Sequence, residues 1–272
     1  MHKCKFSRLA KIIINSALCI LHSALRISPP NQNLKYARRT PMIIKGFAKL
    51  TLLDYPGRVA CTIFTGGCNF RCPFCHNASL ATRAGEVPTI PESEIFDILR
   101  KRQGILDGVC ITGGEPLLYG DELKDFIIKI KELGYAVKLD TNGSFPERLA
   151  ALIEAGLIDK VAMDIKSSPE KYALTAGVEG FDISPILRSI EILKTSGIDY
   201  EFRTTVVKEL HSAEDFEGIG KMIEGAKEYY LQGFVDSGDL IGEGLSAPTQ
   251  EEMKAYRNIA EKYVKNAQIR GL

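Results

Sequence analysis

Short apolar, β-branched runs alternate along the chain with longer stretches whose apolar positions recur once per helical turn. Short apolar runs bounded by turn residues predict buried strands, and apolar positions at helical spacing predict amphipathic helices. The predicted strands are 59–65, 108–112, 136–140, 159–165, 200–207 and 229–235. The predicted helices are 92–102, 121–133, 146–155, 184–196 and 213–225.

Strands that alternate with helices predict parallel strands joined by right-handed crossovers. Six such units occupy fewer residues than a closed eight-unit barrel requires. We therefore predict an α/β fold, a partial (β/α)6 TIM-like barrel with parallel strands. Such a barrel is open on one side and has room there for a bulky substrate, including part of another protein.

The same pattern divides the chain into three parts. Residues 42–235 are the predicted core domain, and residues 236–272 are a predicted C-terminal helical tail with a helix over about 249–264. Residues 1–41 are an N-terminal extension with basic residues and a mixed apolar stretch, which superficially resembles a signal peptide or an amphipathic surface helix. Polar residues interrupt that stretch, which argues against a membrane span. We interpret Met42 as the native start.

Composition narrows the function classes. The 272 residues include 35 basic and 34 acidic ones, so the net charge of +1 lacks the basic footprint of a nucleic-acid-binding protein. Seven cysteines, three of them clustered, indicate metal ligation in a reducing, cytoplasmic compartment rather than a secreted disulfide scaffold. Cys61 and Cys110 lie in strand-like apolar runs and are predicted core residues.

The clustered cysteines are Cys68, Cys72 and Cys75, in the spacing C-x3-C-x2-C. Thiolate is the usual protein ligand of iron–sulfur clusters, and three cysteines can ligate all but one iron of a four-iron cluster. The remaining iron is then open to a substrate or a second cofactor. We therefore predict that these three residues are metal ligands.

Three other interpretations of the cysteines stay open at this point. A helix would place all three on one face as small buried hydrophobes, although Gly66, Gly67 and Pro73 disfavour a helix there. A structural zinc site prefers four ligands, for which His76 is a poorly placed fourth. A disulfide fits an odd local set of three badly.

Two motifs together resemble the radical S-adenosylmethionine (SAM) superfamily. The family's cysteine motif has an aromatic residue before the last cysteine, where this chain has Phe74. A Gly-Gly-Glu-Pro segment follows at 113–116, after a strand-like run. Segments 52–57, 139–144, 162–166 and 200–207 more narrowly resemble the activating proteins of anaerobic ribonucleoside-triphosphate reductase, which are relatives of the pyruvate formate-lyase activase. The resemblance covers about residues 42–235.

This resemblance implies two cofactors, a [4Fe–4S] cluster and SAM. It implies that a one-electron donor such as flavodoxin or ferredoxin reduces the cluster and that SAM is then cleaved to methionine and a 5′-deoxyadenosyl radical. The radical abstracts a Cα hydrogen from a glycine of the partner reductase. Neither a nucleic acid nor a membrane is an expected partner.

The resemblance also suggests roles at the carboxyl ends of the strands, where such barrels place their sites. Gly113 and Gly114 allow the backbone to approach SAM closely, and Glu115 pairs with the SAM amino group. Lys166 and Arg203 are candidate partners of the SAM carboxylate.

Other polar residues at these strand ends have more than one interpretation. Asp140 and Asn142 could bind the ribose hydroxyls or the amino group, and they also suit a turn. Asp140 and Asp164 could share a monovalent cation. Phe74 is expected beside the adenine, whereas His76 and His211 are equally well explained as loop histidines.

Two rival functions are compatible with the sequence. A radical SAM enzyme could act on a small molecule or on another glycyl-radical enzyme, because the core motifs do not specify the substrate. Alternatively, the cysteines could form a non-catalytic zinc or iron–sulfur electron-transfer module. Metal content and the visible spectrum under anaerobic conditions distinguish the zinc module from an iron–sulfur protein.

Overall fold

One eight-stranded sheet organises the computed structural model, which describes residues 42–271. Strand order in the sheet follows the chain from β1 to β8. The strands are β1 (Ile44–Thr51), β2 (Ala60–Thr65), β3 (Gly108–Gly113), β4 (Ala136–Thr141), β5 (Lys160–Asp164), β6 (Asp199–Val206), β7 (Tyr229–Gly233) and β8 (Ala267–Arg270). β1 is antiparallel to β2 and every later neighbouring pair is parallel, so β1 and β8 are the two edges of an open sheet.

Helices connect the parallel strands. They are α1 (Ala78–Thr82), α2 (Glu92–Lys101), α3 (Asp121–Glu132), α4 (Pro146–Glu154), α5 (Tyr172–Ala176), α6 (Ser184–Thr195), α7 (Ala213–Met222) and α8 (Gln250–Ala260). A short 3₁₀ helix, Pro116–Tyr119, precedes α3. α3 shows why these segments are helical: its buried residues Leu123, Phe126, Ile127 and Ile130 form one apolar stripe, which packs into the core.

The α/β class and the six predicted parallel strands are confirmed, with bounds that differ by at most two residues. The sheet also contains two strands that were not predicted, β1 and β8. β1 alternates inward and outward residues less regularly and pairs antiparallel with β2 through two register shifts. β8 has only four residues, too few for a clear sequence pattern, and it joins the sheet by pairing with β7.

Alternation along the strands separates an apolar outer face of the sheet from a polar inner face. On β4, Val137 and Leu139 are fully buried in the hydrophobic core. Successive strand residues point to opposite faces, so Lys138 and Asp140 point to the other side, into the barrel. The inner face therefore carries the charged residues that form the site described below.

The predicted division of the chain is only partly visible. Residues 236–271, predicted as a helical tail, contain α8 and also β8, which joins the main sheet. The predicted extension, residues 1–41, lies outside the described residues. Within residues 42–271 no helix combines the length and the apolar character needed to cross a bilayer.

Candidate active site

The loop after β2 carries the three clustered cysteines, and backbone hydrogen bonds hold it at its start and between the first two cysteines. Gly67 N donates to Leu80 O at 2.8 Å, and Arg71 N donates to Ala176 O, in α5, at 2.8 Å. Cys68, Cys72 and Cys75 lie in loop and turn conformations rather than on a helix, and all are free thiols. The helical-stripe and disulfide interpretations are therefore wrong for these residues.

All three cysteines line one cavity of about 350 Å³ at the carboxyl ends of the parallel strands. Of the eleven site residues predicted from the sequence, ten line this cavity. They are Cys68, Cys72, Phe74, Cys75, Gly113, Gly114, Asp140, Asn142, Lys166 and Arg203. Loops that are far apart in sequence thus converge at one position, as the parallel topology predicted.

Glu115 is the predicted site residue that lies outside the cavity lining. Its carboxylate is fully buried and accepts hydrogen bonds from Leu117 N (3.0 Å), Thr141 Oγ1 (2.8 Å) and Asn142 N (2.7 Å). These bonds join the Gly-Gly-Glu-Pro loop to the end of β4. Burial raises the pKa of Glu115 to about 7 although the hydrogen bonds oppose that shift. In this structure Glu115 supports the cavity wall through these bonds, and its contact with the SAM amino group stays a prediction.

Gly113 and Gly114 are required by packing between two loops. A Cβ on Gly114 would lie 1.9 Å from Gly67 O, and one on Gly113 would lie 2.3 Å from Thr65 N. The close approach is secured by hydrogen bonds from Gly114 N to Thr65 O and from Glu115 N to Gly67 O, each 2.9 Å long. The glycines therefore bring the backbone of the 113–116 segment against the start of the cysteine loop.

Five charged side chains form a continuous ion-pair cluster on the cavity floor. Arg203 bridges two carboxylates: its Nη1 lies 3.2 Å from Asp140 Oδ2, and its Nη2 lies 3.0 Å from Asp164 Oδ1. Lys166 Nζ lies 3.0 Å from Asp164 Oδ2, and Lys138 pairs with Asp140. Positive and negative charges alternate through the cluster, with Lys138 and Lys166 at its two ends.

Neighbouring charges in this ion-pair cluster keep Asp140, Asp164 and Lys166 ionised despite burial. Burial opposes the charge on Asp164, but Lys166 and Arg203 outweigh it and lower the pKa of Asp164 to about 2. In the same way Arg203 and Lys138 lower the pKa of Asp140. Burial also opposes the charge on Lys166, yet Asp164 holds the pKa of Lys166 above its ordinary value. The site therefore presents fixed charges of both signs near neutral pH.

The thiols lie in a different electrostatic state. Burial raises the pKa of Cys68 to about 12 and that of Cys72 to about 11, and it raises the pKa of Cys75 as well. The ammonium group of Lys166 lowers the pKa of all three, although less than burial raises it. A cysteine binds a metal as the thiolate. Because burial favours the protonated thiols, ligation here requires the positive charge of a metal centre in addition to that of Lys166.

The aromatic and histidine predictions have mixed outcomes. Phe74 is buried with Lys166 Nζ 5.9 Å from its ring centroid, and it lines the cavity. His76 also lines the cavity, with its ring 5.9 Å from that of Phe234. His211 is buried; its Nδ1 accepts from Val207 N at 3.0 Å and its Nε2 lies 2.9 Å from Lys166 O. His211 is therefore a structural residue that positions the backbone of Lys166.

Sequence reasoning missed several cavity residues. These are Asp54, Phe64, Phe70, Asn77, Ala81, Thr112 and Thr141, and Lys138 behind Asp140. The position of Lys138 could have been predicted, because a lysine two residues before Asp140 in an apolar strand lies on the same face of the sheet. The position of Asp54 could not, since it depends on the path of the loop between β1 and β2.

Three free thiols around one cavity are chemically suited to an iron–sulfur cluster, in which each cysteine binds a different iron. Among the residues that the structure describes, no three His, Cys, Asp or Glu side chains are grouped closely enough to hold one metal ion.

A family model described as the radical SAM superfamily matches residues 62–223, more than half of the 272-residue chain. The chain belongs to the radical SAM superfamily. This radical SAM protein is 34% identical, over 84% of its own length and 95% of the relative's, to a Methanocaldococcus jannaschii protein named as a glycyl-radical enzyme activating enzyme. It is also 33% identical to the pyruvate formate-lyase-activating enzyme of Listeria monocytogenes, over 44% of this chain and 52% of that one.

Solved structures agree on the fold. SuiB of Streptococcus suis, determined with S-adenosylmethionine bound, superposes with a TM-score of 0.57 at 17% identity, over 75% of this chain and 48% of that one. A domain of a pyruvate-formate lyase-activating enzyme from Bacteroides vulgatus gives 0.50 at 19% identity, over 60% of this chain and 99% of that one. The protein is therefore a radical SAM enzyme of the glycyl-radical activase family, and its superfamily uses SAM with an iron–sulfur cluster.

Proposed function

We propose that this protein activates an anaerobic ribonucleoside-triphosphate reductase by installing a glycyl radical on it. The observation that carries the proposal is the single cavity shared by the three cysteines and the ion-pair cluster. Cys68, Cys72 and Cys75 would hold a [4Fe–4S] cluster by three of its irons. When bound, the cluster and SAM supply one-electron reductive cleavage of the sulfonium bond, chemistry that belongs to the cofactors.

The chain's own residues bind and orient SAM in this proposal. The methionyl part of SAM is a zwitterion, so it needs a cation for its carboxylate and an anion for its amino group. Lys166 and Arg203 offer the cations, and Asp140 and Asp164 offer the anions, all in fixed positions on the cavity floor. Charged hydrogen bonds of this kind are stronger than neutral ones. The ion-pair cluster is therefore preorganised for a zwitterionic ligand.

Two buried aromatic residues of the cysteine loop, Phe70 and Phe74, line the same space. Apolar groups lower the local dielectric and so strengthen the electrostatic contacts of the ion-pair cluster. Phe74 also supplies a flat apolar surface beside Lys166, which suits the adenine of SAM.

The choice of target rests on three supports. Segments 52–57, 139–144, 162–166 and 200–207 resemble reductase activating proteins, and the Methanocaldococcus jannaschii relative is named for glycyl-radical enzyme activation. The sheet is open between β1 and β8, which leaves space for a segment of a protein substrate. A flavodoxin or ferredoxin would be the one-electron donor.

The test combines the anaerobically reconstituted protein with a reductase from the same source, SAM and a reductant. Electron paramagnetic resonance should show a glycyl radical doublet on the reductase, split by the remaining Cα hydrogen. Deuteration of glycine Cα in the reductase should collapse the splitting and place deuterium in 5′-deoxyadenosine. SAM cleavage without a protein radical or label transfer would refute the activase proposal and favour a small-molecule substrate.

The ligand assignment has its own test. Cys72→Ala should abolish SAM cleavage, because it removes one of the three proposed cluster ligands. The matched control is Cys61→Ala, a fully buried cysteine of β2 outside the cavity lining. The control should keep cluster absorbance and SAM cleavage. Wild-type cleavage by the reconstituted Cys72→Ala protein would show that the assignment is wrong.

A further inference from the structure

Three polar side chains close a ring of hydrogen bonds between the cysteine loop and the loop after β4. Asn69 Nδ2 donates to Ser144 Oγ at 2.9 Å, and Ser144 Oγ donates to Asn142 Oδ1 at 2.6 Å. Asn142 Nδ2 then donates to Asn69 Oδ1 at 2.9 Å. Each side chain donates once and accepts once, so the ring satisfies both amides and the hydroxyl together.

The backbone determines which way the Asn142 amide points. Ser144 N also donates to Asn142 Oδ1, at 2.9 Å. A backbone N–H can only donate, so the atom that faces it must be the amide oxygen. Asn142 N is itself held by Glu115 Oε2 at 2.7 Å. The amide nitrogen of Asn142 is consequently directed away from Ser144 N and toward the cysteine loop.

The amide nitrogen of Asn142 approaches the sulfur of Cys68. Asn142 Nδ2 lies 3.9 Å from Cys68 Sγ, and Phe70 N lies 3.4 Å from that sulfur. Cys72 Sγ instead faces the carbonyl oxygen of Ala176 at 3.7 Å. Of the three motif cysteines, as far as the structure describes their surroundings, Cys68 is thus the one approached by a side-chain N–H donor.

We infer that Asn142 is a positioning residue: it donates a hydrogen bond to the Cys68 sulfur and makes the iron–sulfur cluster easier to reduce. This inference rests on the iron–sulfur cluster of the proposed function. Reduction adds negative charge to the cluster and its thiolates, and hydrogen bonds to those sulfurs stabilise the added charge. The ring with Asn69 and Ser144 holds the donor in place. This role differs from the contact with SAM that the sequence suggested for Asn142.

The experiment is a redox titration of the reconstituted iron–sulfur cluster in the absence of SAM, with electron paramagnetic resonance used to measure the reduced fraction. Asn142→Ala removes the donor and should make reduction harder. At the wild-type midpoint potential its ratio of reduced to oxidised cluster should fall about threefold to tenfold, as expected for the loss of one hydrogen bond. Asn142→Asp keeps the oxygen that Ser144 N requires and replaces the donor by a carboxylate oxygen. It should shift the ratio further in the same direction.

Ser144→Ala is the matched control. It opens the ring but leaves both Ser144 N and Asn69 Oδ1 to hold the Asn142 amide, so its midpoint should stay near wild type. An unchanged midpoint in Asn142→Ala and Asn142→Asp would overturn the inference, as would an equal shift in Ser144→Ala. Loss of the cluster from both Asn142 variants with wild-type unfolding would overturn it too, since it would indicate a role in assembly. A wild-type protein that forms no cluster would instead refute the proposed function.

Discussion

At the scale of single residues, the cavity depends on groups that never face it. Glu115 accepts three hydrogen bonds beneath the floor, and His211 positions the backbone of Lys166. Burial of Glu115 favours its neutral form, while its three donors favour the carboxylate. Burial outweighs the three donors and raises the pKa of Glu115 to about 7.

The first prediction follows from the raised pKa of Glu115. A carboxyl group whose pKa rises from 4.5 unfolded to about 7 folded stabilises the fold fully below pH 4.5, and that contribution is lost as pH rises through about 7. The slope is at most about 1.4 kcal/mol per pH unit. Glu115→Gln should remove this pH dependence from urea unfolding of the metal-free protein. It should also destabilise the fold, because the amide cannot accept from all three donors.

The exposed Glu154 of α4 provides the comparison, since Glu154→Gln neutralises a carboxylate without touching the cavity. It should leave the unfolding curves near wild type at every pH. Parallel pH profiles for wild type and Glu115→Gln would show that Glu115 titrates normally in the folded protein.

At the scale of elements, a strap formed by residues 234–248 crosses the cysteine loop. Gly242 N donates to Pro73 O at 2.8 Å, and Asp239 accepts from Ser79 N at 2.9 Å. Asp239 also pairs with Arg83 at 3.0 Å. The strap thus contacts the cysteine loop at Pro73, whereas the Gly-Gly-Glu-Pro loop contacts it at Gly67.

The second prediction concerns Gly242. A Cβ there would lie 2.7 Å from Pro73 Cβ, so Gly242→Val should displace the strap from the cysteine loop. Cys75 in the metal-free protein should then react severalfold faster with a thiol reagent, measured by mass spectrometry of the labelled peptide. Gly85→Val, where the added side chain meets open space, is the control. Equal labelling rates in the two variants would mean that the strap does not shield the thiol.

The edge strand β8 is attached by a buried charge. Glu201 on β6 is 1% exposed. Arg270 on β8 donates two hydrogen bonds to its carboxylate, from Nη1 to Oε1 at 2.9 Å and from Nη2 to Oε2 at 3.1 Å. Lys160 Nζ lies farther away, 3.9 Å from Glu201. The inner face of this part of the barrel is therefore connected by ion pairs rather than by apolar packing.

The third prediction tests that attachment. Arg270→Ala leaves Glu201 buried with a weaker partner and should cost about 1–3 kcal/mol of unfolding free energy. Adding Glu201→Gln removes the uncompensated charge and should restore part of the loss. Gln268→Ala, an exposed position on the same strand, should be nearly neutral. Additive losses in the double variant would exclude a direct Glu201–Arg270 coupling.

At the scale of the whole molecule, the described residues 42–271 form the eight-stranded sheet and line the cavity. β1 contributes to the site indirectly, because Gly66 N, at the start of the cysteine loop, donates to Ile43 O at 2.9 Å. Ile44, the next residue and the first of β1, is buried in the core. The segment that begins at Met42 is thus structurally connected to the cavity.

The fourth prediction is that a chain beginning at Met42 folds and binds its cluster like the full-length protein. Its unfolding midpoint and iron content after reconstitution should match those of the full chain. A chain beginning at Leu52, which lacks β1, should lose both, since β2 would then be the edge and Gly66 would lose its partner. Insoluble protein from the Met42 start would instead show that residues 1–41 are needed for folding.

The sequence alone determined the parallel α/β architecture, because it depends on local spacing, and the resemblance of its motifs to a known family supplied ten of the residues that line the cavity. Helical and strand periodicity is a property of neighbouring residues, and parallel strands necessarily bring their carboxyl ends together. Only the tertiary structure decided that Glu115 lies under the cavity, that Asn142 faces Cys68 and that β8 joins the sheet. Each of these depends on contacts between segments far apart in the chain, whose distances and hydrogen-bond directions leave no periodic trace in the sequence.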